Sequence, residues 1–140
     1  MAIEFPSEEW IEEWQRRLNE NERYAELGAD WGLDFNGDFI FTIEADDEFD
    51  ETQHYFVGLE GGTCTDAYRV DDLDEVKYGF EMRGPYSHWR QLSEGEIGAI
   101  DGLMQGKFEL NGDMQEVLQY SDASVEMVEC AAQIETEYVA

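Results

Sequence analysis

Two histidines, two cysteines and several acidic runs are the side chains with which chemistry could begin in this sequence. Ser87 and His88 are adjacent, but no Gly-x-Ser-x-Gly turn presents a nucleophile, and His54 has no serine or cysteine at a recognisable spacing. His88 therefore reads as a partly exposed helix residue beside Trp89. Cys64 follows a Gly-Gly turn in strand-like sequence, and Cys130 lies in a helical pattern. Neither has a second thiol or a histidine at zinc spacing, so free thiols and no metal site are expected. Asp46-Asp47-Glu48 and Asp71-Asp72-Leu73-Asp74-Glu75 gather oxygen ligands. They lack the glycine and glutamate that an EF-hand loop needs, and read as solvated runs with weak, salt-competed cation association. Gly58, Gly61 and Gly62 do not reproduce a dinucleotide fingerprint, and no cofactor is implied. One catalytic arrangement stays open: a carboxylate made basic by burial in an apolar pocket, with Asp38, Asp66 and Asp101 as the candidates.

The larger constellation is apolar. Trp14, Phe39, Phe41, Ile43, Tyr55, Phe80, Trp89, Met104, Phe108, Met114 and Met127 are large, and the methionines among them are deformable. Taken singly, each is an ordinary core residue. Taken together, they exceed what one sheet with helices on one face calls for, unless they surround a cavity. They are the candidate lining of such a cavity.

The elements that must position them follow from periodicity. Ser7 caps a first helix whose inner face is Trp10, Ile11, Trp14 and Leu18. A shorter helix carries Tyr24 and Leu27 and ends at Gly28. From Phe39 to Ala45 the period becomes two, with Phe39, Phe41 and Ile43 inward and Ile40 and Thr42 outward. Tyr55 to Leu59, a Gly61-Gly62 turn and Cys64 to Val70 complete an antiparallel meander. A fourth strand is predicted from Val76 to Met82, and a short helix from Ser87 to Leu92. Ser93 and Glu96 stand at capping-box spacing ahead of Ile97, Ile100, Leu103 and Met104, with Leu92 and Ile97 placed as a hydrophobic staple. Gly106 ends that helix, Lys107 to Leu110 makes a fifth strand, and Asn111-Gly112-Asp113 turns into the last helices. Gly98, Gly102 and Gly106 would let the helix approach the sheet. The final helix is predicted from Asp122 to Glu137, with Glu126 on its polar face. Its apolar face is modest, so looser docking than for the helix after Ser93 is expected. The pattern is α+β: one five-stranded, mostly antiparallel sheet covered by helices, in a single domain over 1–140.

The bulk composition bounds the rest. Hydrophobic residues make up 42% of the 140, so this is a folding chain rather than a disordered one. Its 35 acidic and eight basic residues give a net charge of -27, spread along the whole length. Self-repulsion of that size is relieved by strong salt, which points to a halophile's surface. A basic patch for nucleic acid is missing. No apolar run is long enough to span a membrane, and residues 1–5 do not resemble a signal peptide, so a cytoplasmic location is expected.

The segment Met104-Gln105-Gly106-Lys107-Phe108-Glu109-Leu110-Asn111-Gly112-Asp113 resembles the signature near the C-terminus of the sterol carrier protein 2 family. Phe5-Pro6-Ser7-Glu8-Glu9-Trp10 and Tyr86-Ser87-His88-Trp89, followed by Gly95-Glu96, resemble its stand-alone prokaryotic branch. The likeness follows the element order over most of the chain and includes no catalytic motif. It implies that sheet and helices enclose an apolar pocket, with the large apolar residues named above as its lipid-binding lining. The carrier would be a monomer that takes an isoprenoid lipid, fatty acyl group or acyl-coenzyme A without an enzymatic step. An isomerase-like enzyme and a pocketless accessory domain remain as alternatives.

Overall fold

The computed structural model describes residues 2–139. Ser7 caps the first helix as its spacing requires, its Oγ accepting the Trp10 N–H at 3.0 Å. Helix α1 (Glu8–Asn19) has Glu8 and Glu9 in its first turn and Arg16 and Arg17 in its last, matching the helix dipole at both ends. It buries the expected stripe of Trp10, Ile11, Trp14 and Leu18. Asn21 caps α2 (Glu22–Leu27), which ends at Gly28.

Strands β2 (Phe39–Glu44), β3 (Gln53–Glu60) and β4 (Thr63–Val70) form the antiparallel meander. Gly61 and Gly62, at φ +62° and +81°, make the tight turn between β3 and β4. Strand β5 (Phe80–Pro85) returns parallel to β2, and β6 (Glu109–Asn111) adds antiparallel to β5. The order is β4-β3-β2-β5-β6, a mostly antiparallel five-stranded sheet in an α+β fold. The fourth strand begins at Phe80 rather than Val76. The Gly79 backbone presses against Asn36 with no room for a β-carbon. Val76 and Tyr78 instead pack on Ile40, Phe56 and Val70, a small second core on the sheet's outer face. Ile40 does point outward, but it is buried there.

The capping box does not form. Helix α3 (Tyr86–Ser93) continues through Ser93, whose Oγ donates to the Arg90 carbonyl at 2.9 Å and meets Tyr138 Oη at 2.8 Å. Gly95 at φ +79° then turns the chain. Helix α4 (Ala99–Met104) starts at Gly98 without a side-chain cap, so Leu92 and Ile97 are not its staple. Gly106, at φ +78°, does follow its end. Of the three spaced glycines, Gly102 is the one that admits a close approach, with Phe108 against it. Asp113 caps α5 (Met114–Gln119).

Helix α6 (Ser121–Ala132) is shorter than predicted. After it, β7 (Thr136–Tyr138) pairs in parallel with β1 (Ile3–Phe5), a two-stranded sheet joining the chain's ends. The docking order is also reversed. Helix α6 packs against α1, α2, α3 and α4 and buries Ala123, Glu126, Cys130 and Ala131. By contrast, α4 buries only Gly102 and α5 buries no residue. Glu126 lies inward because Asn21 Nδ2 donates to it at 3.2 Å and Arg23 Nε stands 3.3 Å away.

Candidate lipid-binding cavity

A cavity of about 130 Å³ lies between the inner face of the sheet and the helices. Helix α1 contributes Ile11 and Trp14, and β2 contributes Phe39, Phe41 and Ile43. Tyr55 and Leu59 come from β3, Met82 from β5, and Trp89 and Leu92 from α3. Ile100 and Leu103 of α4, Val117 of α5, and Ala123, Met127 and Ala131 of α6 close it. Among the described residues, no Asp, Glu, Lys, Arg or His belongs to the lining.

The aromatic rings are fixed by one another and by their polar edges. Trp14 meets Phe41 edge-on at 6.0 Å, and Phe41 meets Trp89 at 5.3 Å between centroids. Trp14 Nε1 donates to the Met127 carbonyl at 3.0 Å, which ties α1 to α6. Trp89 Nε1 donates to the Thr42 carbonyl at 2.9 Å, which ties α3 to β2. Tyr55 Oη donates to Gln53 Oε1 at 2.5 Å, and burial pushes its phenol up to about 12.

Of the candidate residues, Trp14, Phe39, Phe41, Ile43, Tyr55, Trp89 and Met127 line this cavity. Phe80 and Phe108 are core residues behind it. Phe80 stacks on Phe39 at 5.0 Å, while Phe108 stands edge-on to Trp89 at 5.0 Å between Gly84 and Gly102. Met104, the last residue of the six-residue α4, is 70% exposed and is not part of the lining. Met114 is half-buried, and both methionines border a shallow surface cleft with Leu103, Phe108 and Leu110. Sequence reasoning overlooked Trp31, which lies in an aperiodic loop. It is buried in the lining, its Nε1 donates to the Gly37 carbonyl at 2.9 Å, and it packs on Phe39, Phe80 and Tyr120.

The carboxylates, histidines and thiols stand elsewhere. Asp38 accepts the Leu59 N–H at 3.1 Å, and burial raises its carboxyl above the ordinary range, but it is not part of the lining. Asp66 and Asp101 are exposed. On the outer face, Thr42 Oγ1 donates to Glu81 at 2.6 Å and meets His54 Nδ1 at 2.8 Å, while Asn111 donates to the same carboxylate at 2.9 Å. His88 Nδ1 bonds the Lys107 carbonyl at 2.9 Å. Cys64 and Cys130 are buried free thiols, and burial pushes Cys64 up to about 12. Among the described residues, no three His, Cys, Asp or Glu side chains could jointly hold a metal ion, and no helix is long and apolar enough to cross a membrane.

This arrangement has solved counterparts. A crystal structure of sterol carrier protein 2 is similar at TM-score 0.79 and 25% identity, covering 91% of this chain and 97% of that one. A conserved hypothetical protein of Thermus thermophilus shares the fold at TM-score 0.81 and 24% identity, over 94% of this chain and 90% of that one. Sterol carrier protein 2 from Yarrowia lipolytica shares it at TM-score 0.55 and 16% identity, over 88% and 89%. No curated protein sequence matches the chain. The SCP-2 sterol transfer family model matches residues 34–124, from before β2 into α6, and the chain belongs to that family.

Proposed function

We propose that this protein binds one chain-like hydrophobic molecule in the cavity and carries it between membranes unchanged. The candidate cargo classes are isoprenoid lipids, fatty acyl groups and acyl-coenzyme A, handled by a soluble, cytoplasmic monomer that performs no catalysis and binds no nucleic acid. The observation that carries this reading is a carbon-lined cavity without a charged side chain, in a member of a lipid-transfer family. Affinity would come from burying apolar surface at about 25 cal/mol per Å². At about 130 Å³ the cavity is near the size that holds a benzene-like solute, so a longer chain must displace part of the wall. Helices α4 and α5 bury the least and would move at the lowest cost.

The test is transfer of a pyrene-labelled lipid from donor to acceptor vesicles in molar potassium chloride. The protein should raise the transfer rate in proportion to its concentration. A Phe41→Asp variant, shown to be folded by circular dichroism, should not, because it puts a charge against the ligand. A rate independent of well-folded protein would overturn the proposal.

A further inference from the structure

We infer that the cavity selects uncharged lipids and discriminates against carboxylates and acyl-coenzyme A. This rests on the proposed carrier function and narrows its cargo. The lining offers an anion no charged partner and few free hydrogen-bond donors. All four indole N–H groups around the cavity are engaged by the protein: Trp10 by Thr136 Oγ1 at 3.0 Å and Trp14 by the Met127 carbonyl at 3.0 Å, with Trp31 and Trp89 each held by a backbone carbonyl at 2.9 Å. The three lining serines are engaged too, Ser7 by the Glu4 carbonyl at 2.5 Å, Ser93 by the Arg90 carbonyl at 2.9 Å and Ser124 by the Ser121 carbonyl at 2.7 Å. Among the described residues, Tyr24 and Tyr120 carry the lining hydroxyls without a hydrogen-bond partner. Both phenols are held above their ordinary pKa, by burial first, and so present a neutral O–H. One neutral donor suits an alcohol, ester or ketone oxygen. A carboxylate needs several donors or a cation to offset its desolvation.

The surroundings point the same way. Each of the six arginines already has a carboxylate within salt-bridge distance, and neither lysine is part of the lining. Tyr120 is a partly exposed lining residue, and the charges that act on its phenol are Asp30, Glu116 and Asp34, all negative. A head group left outside at that point meets repulsion at low salt. Molar salt screens it, because the Debye length falls to about 3 Å. The penalty for an unpartnered buried carboxylate is not screened in this way. Charge selection should therefore persist in strong salt and grow as salt is removed.

Quenching of the four cavity tryptophans reads binding directly. Hexadecanol, methyl palmitate, palmitate and palmitoyl-coenzyme A, titrated below their aggregation limits at pH 8 in molar and in lower potassium chloride, share one chain length and differ in charge. The alcohol and ester should bind at least about tenfold tighter than the two anions in molar salt, with a wider gap at lower salt. Palmitate or palmitoyl-coenzyme A binding as tightly as the ester overturns the inference and leaves the carrier function standing. Binding of none of the four overturns the carrier function, and this inference with it.

Discussion

Replacing Ala123 by leucine should stabilise the protein and weaken its hold on lipid at once. Ala123 is 5% exposed and lines the cavity from α6. Leucine adds three carbons that the cavity of about 130 Å³ can receive with little rearrangement. Burying them contributes about 2.4 kcal/mol at about 0.8 per carbon, and leucine's lost rotamer freedom takes back about 0.5 to 1. The net gain is about 1.5 kcal/mol, which for a chain of this length raises Tm by about 5 °C. The same three carbons occupy space that a ligand would fill, so hexadecanol affinity should fall by at least about tenfold. Scanning calorimetry and tryptophan quenching, both in molar potassium chloride, measure the two effects on one preparation. Ala131→Leu, two turns further along α6 and also in the lining, repeats the experiment about 12 Å away. If both variants bind lipid like the parent, the cavity is not the binding site, whatever happens to Tm. If both lower Tm, the space does not receive a side chain as the structure implies, since overpacking costs about 1 to 3 kcal/mol.

Three other outcomes follow from surface and outer-face electrostatics. With a net charge of -27, the chain should gain structure cooperatively as potassium chloride rises towards molar concentration, read by circular dichroism; equal stability at about 0.05 M and 2 M would contradict a salt-adapted surface. Burial lowers the His54 pKa, with Glu81 opposing and Arg83 adding. The unfolded chain therefore takes up the proton first, and stability is complete above pH about 6.5 and falls as pH drops from there towards the folded value. His54→Gln should flatten that part of the urea-midpoint profile, and an unchanged profile would remove His54 as the cause. Asp46 is partly desolvated, which raises its pKa, but the N–H groups of Ser87 at 2.9 Å, Glu48 at 2.9 Å and Phe49 at 3.1 Å outweigh this and hold its carboxyl low. Asp46→Ala should cost about 1 to 2 kcal/mol at neutral pH, measured by urea unfolding, with the difference from the parent shrinking as pH falls through the folded pKa.

Local rules carried the fold where a segment's neighbours are in its own sequence. Ser7 had its acceptor role three residues away, and the stripe of Trp10, Trp14 and Leu18 needed only helical geometry. The Gly61-Gly62 turn likewise set the β3–β4 pairing. The failures are long-range. Ser93 and Glu96 have capping-box spacing, but Ser93 is held by Arg90 and by Tyr138, and the latter is visible only once β7 has met β1. Three-residue strands at opposite ends of the chain leave no periodic trace. Glu126 looked like a solvent residue until Asn21 and Arg23 of another helix drew it inward. The site shows the same division. Residues alternating along β2 and spaced along α1 reached the cavity. Met104 had the right helical phase, but as the last residue of the six-residue α4 it stands exposed beside the surface cleft. Trp31 was missed because no period announces a tryptophan in a loop.

A crystal structure with hexadecanol, grown in molar potassium chloride, would locate the bound chain itself. One alkyl chain is expected between the sheet and α6, in contact with Trp14, Phe41, Trp89 and Met127, with α4 and α5 displaced outward and α1 and α6 in place. A chain lying instead in the surface cleft beside Met104 and Met114, with the cavity walls unmoved, would contradict it.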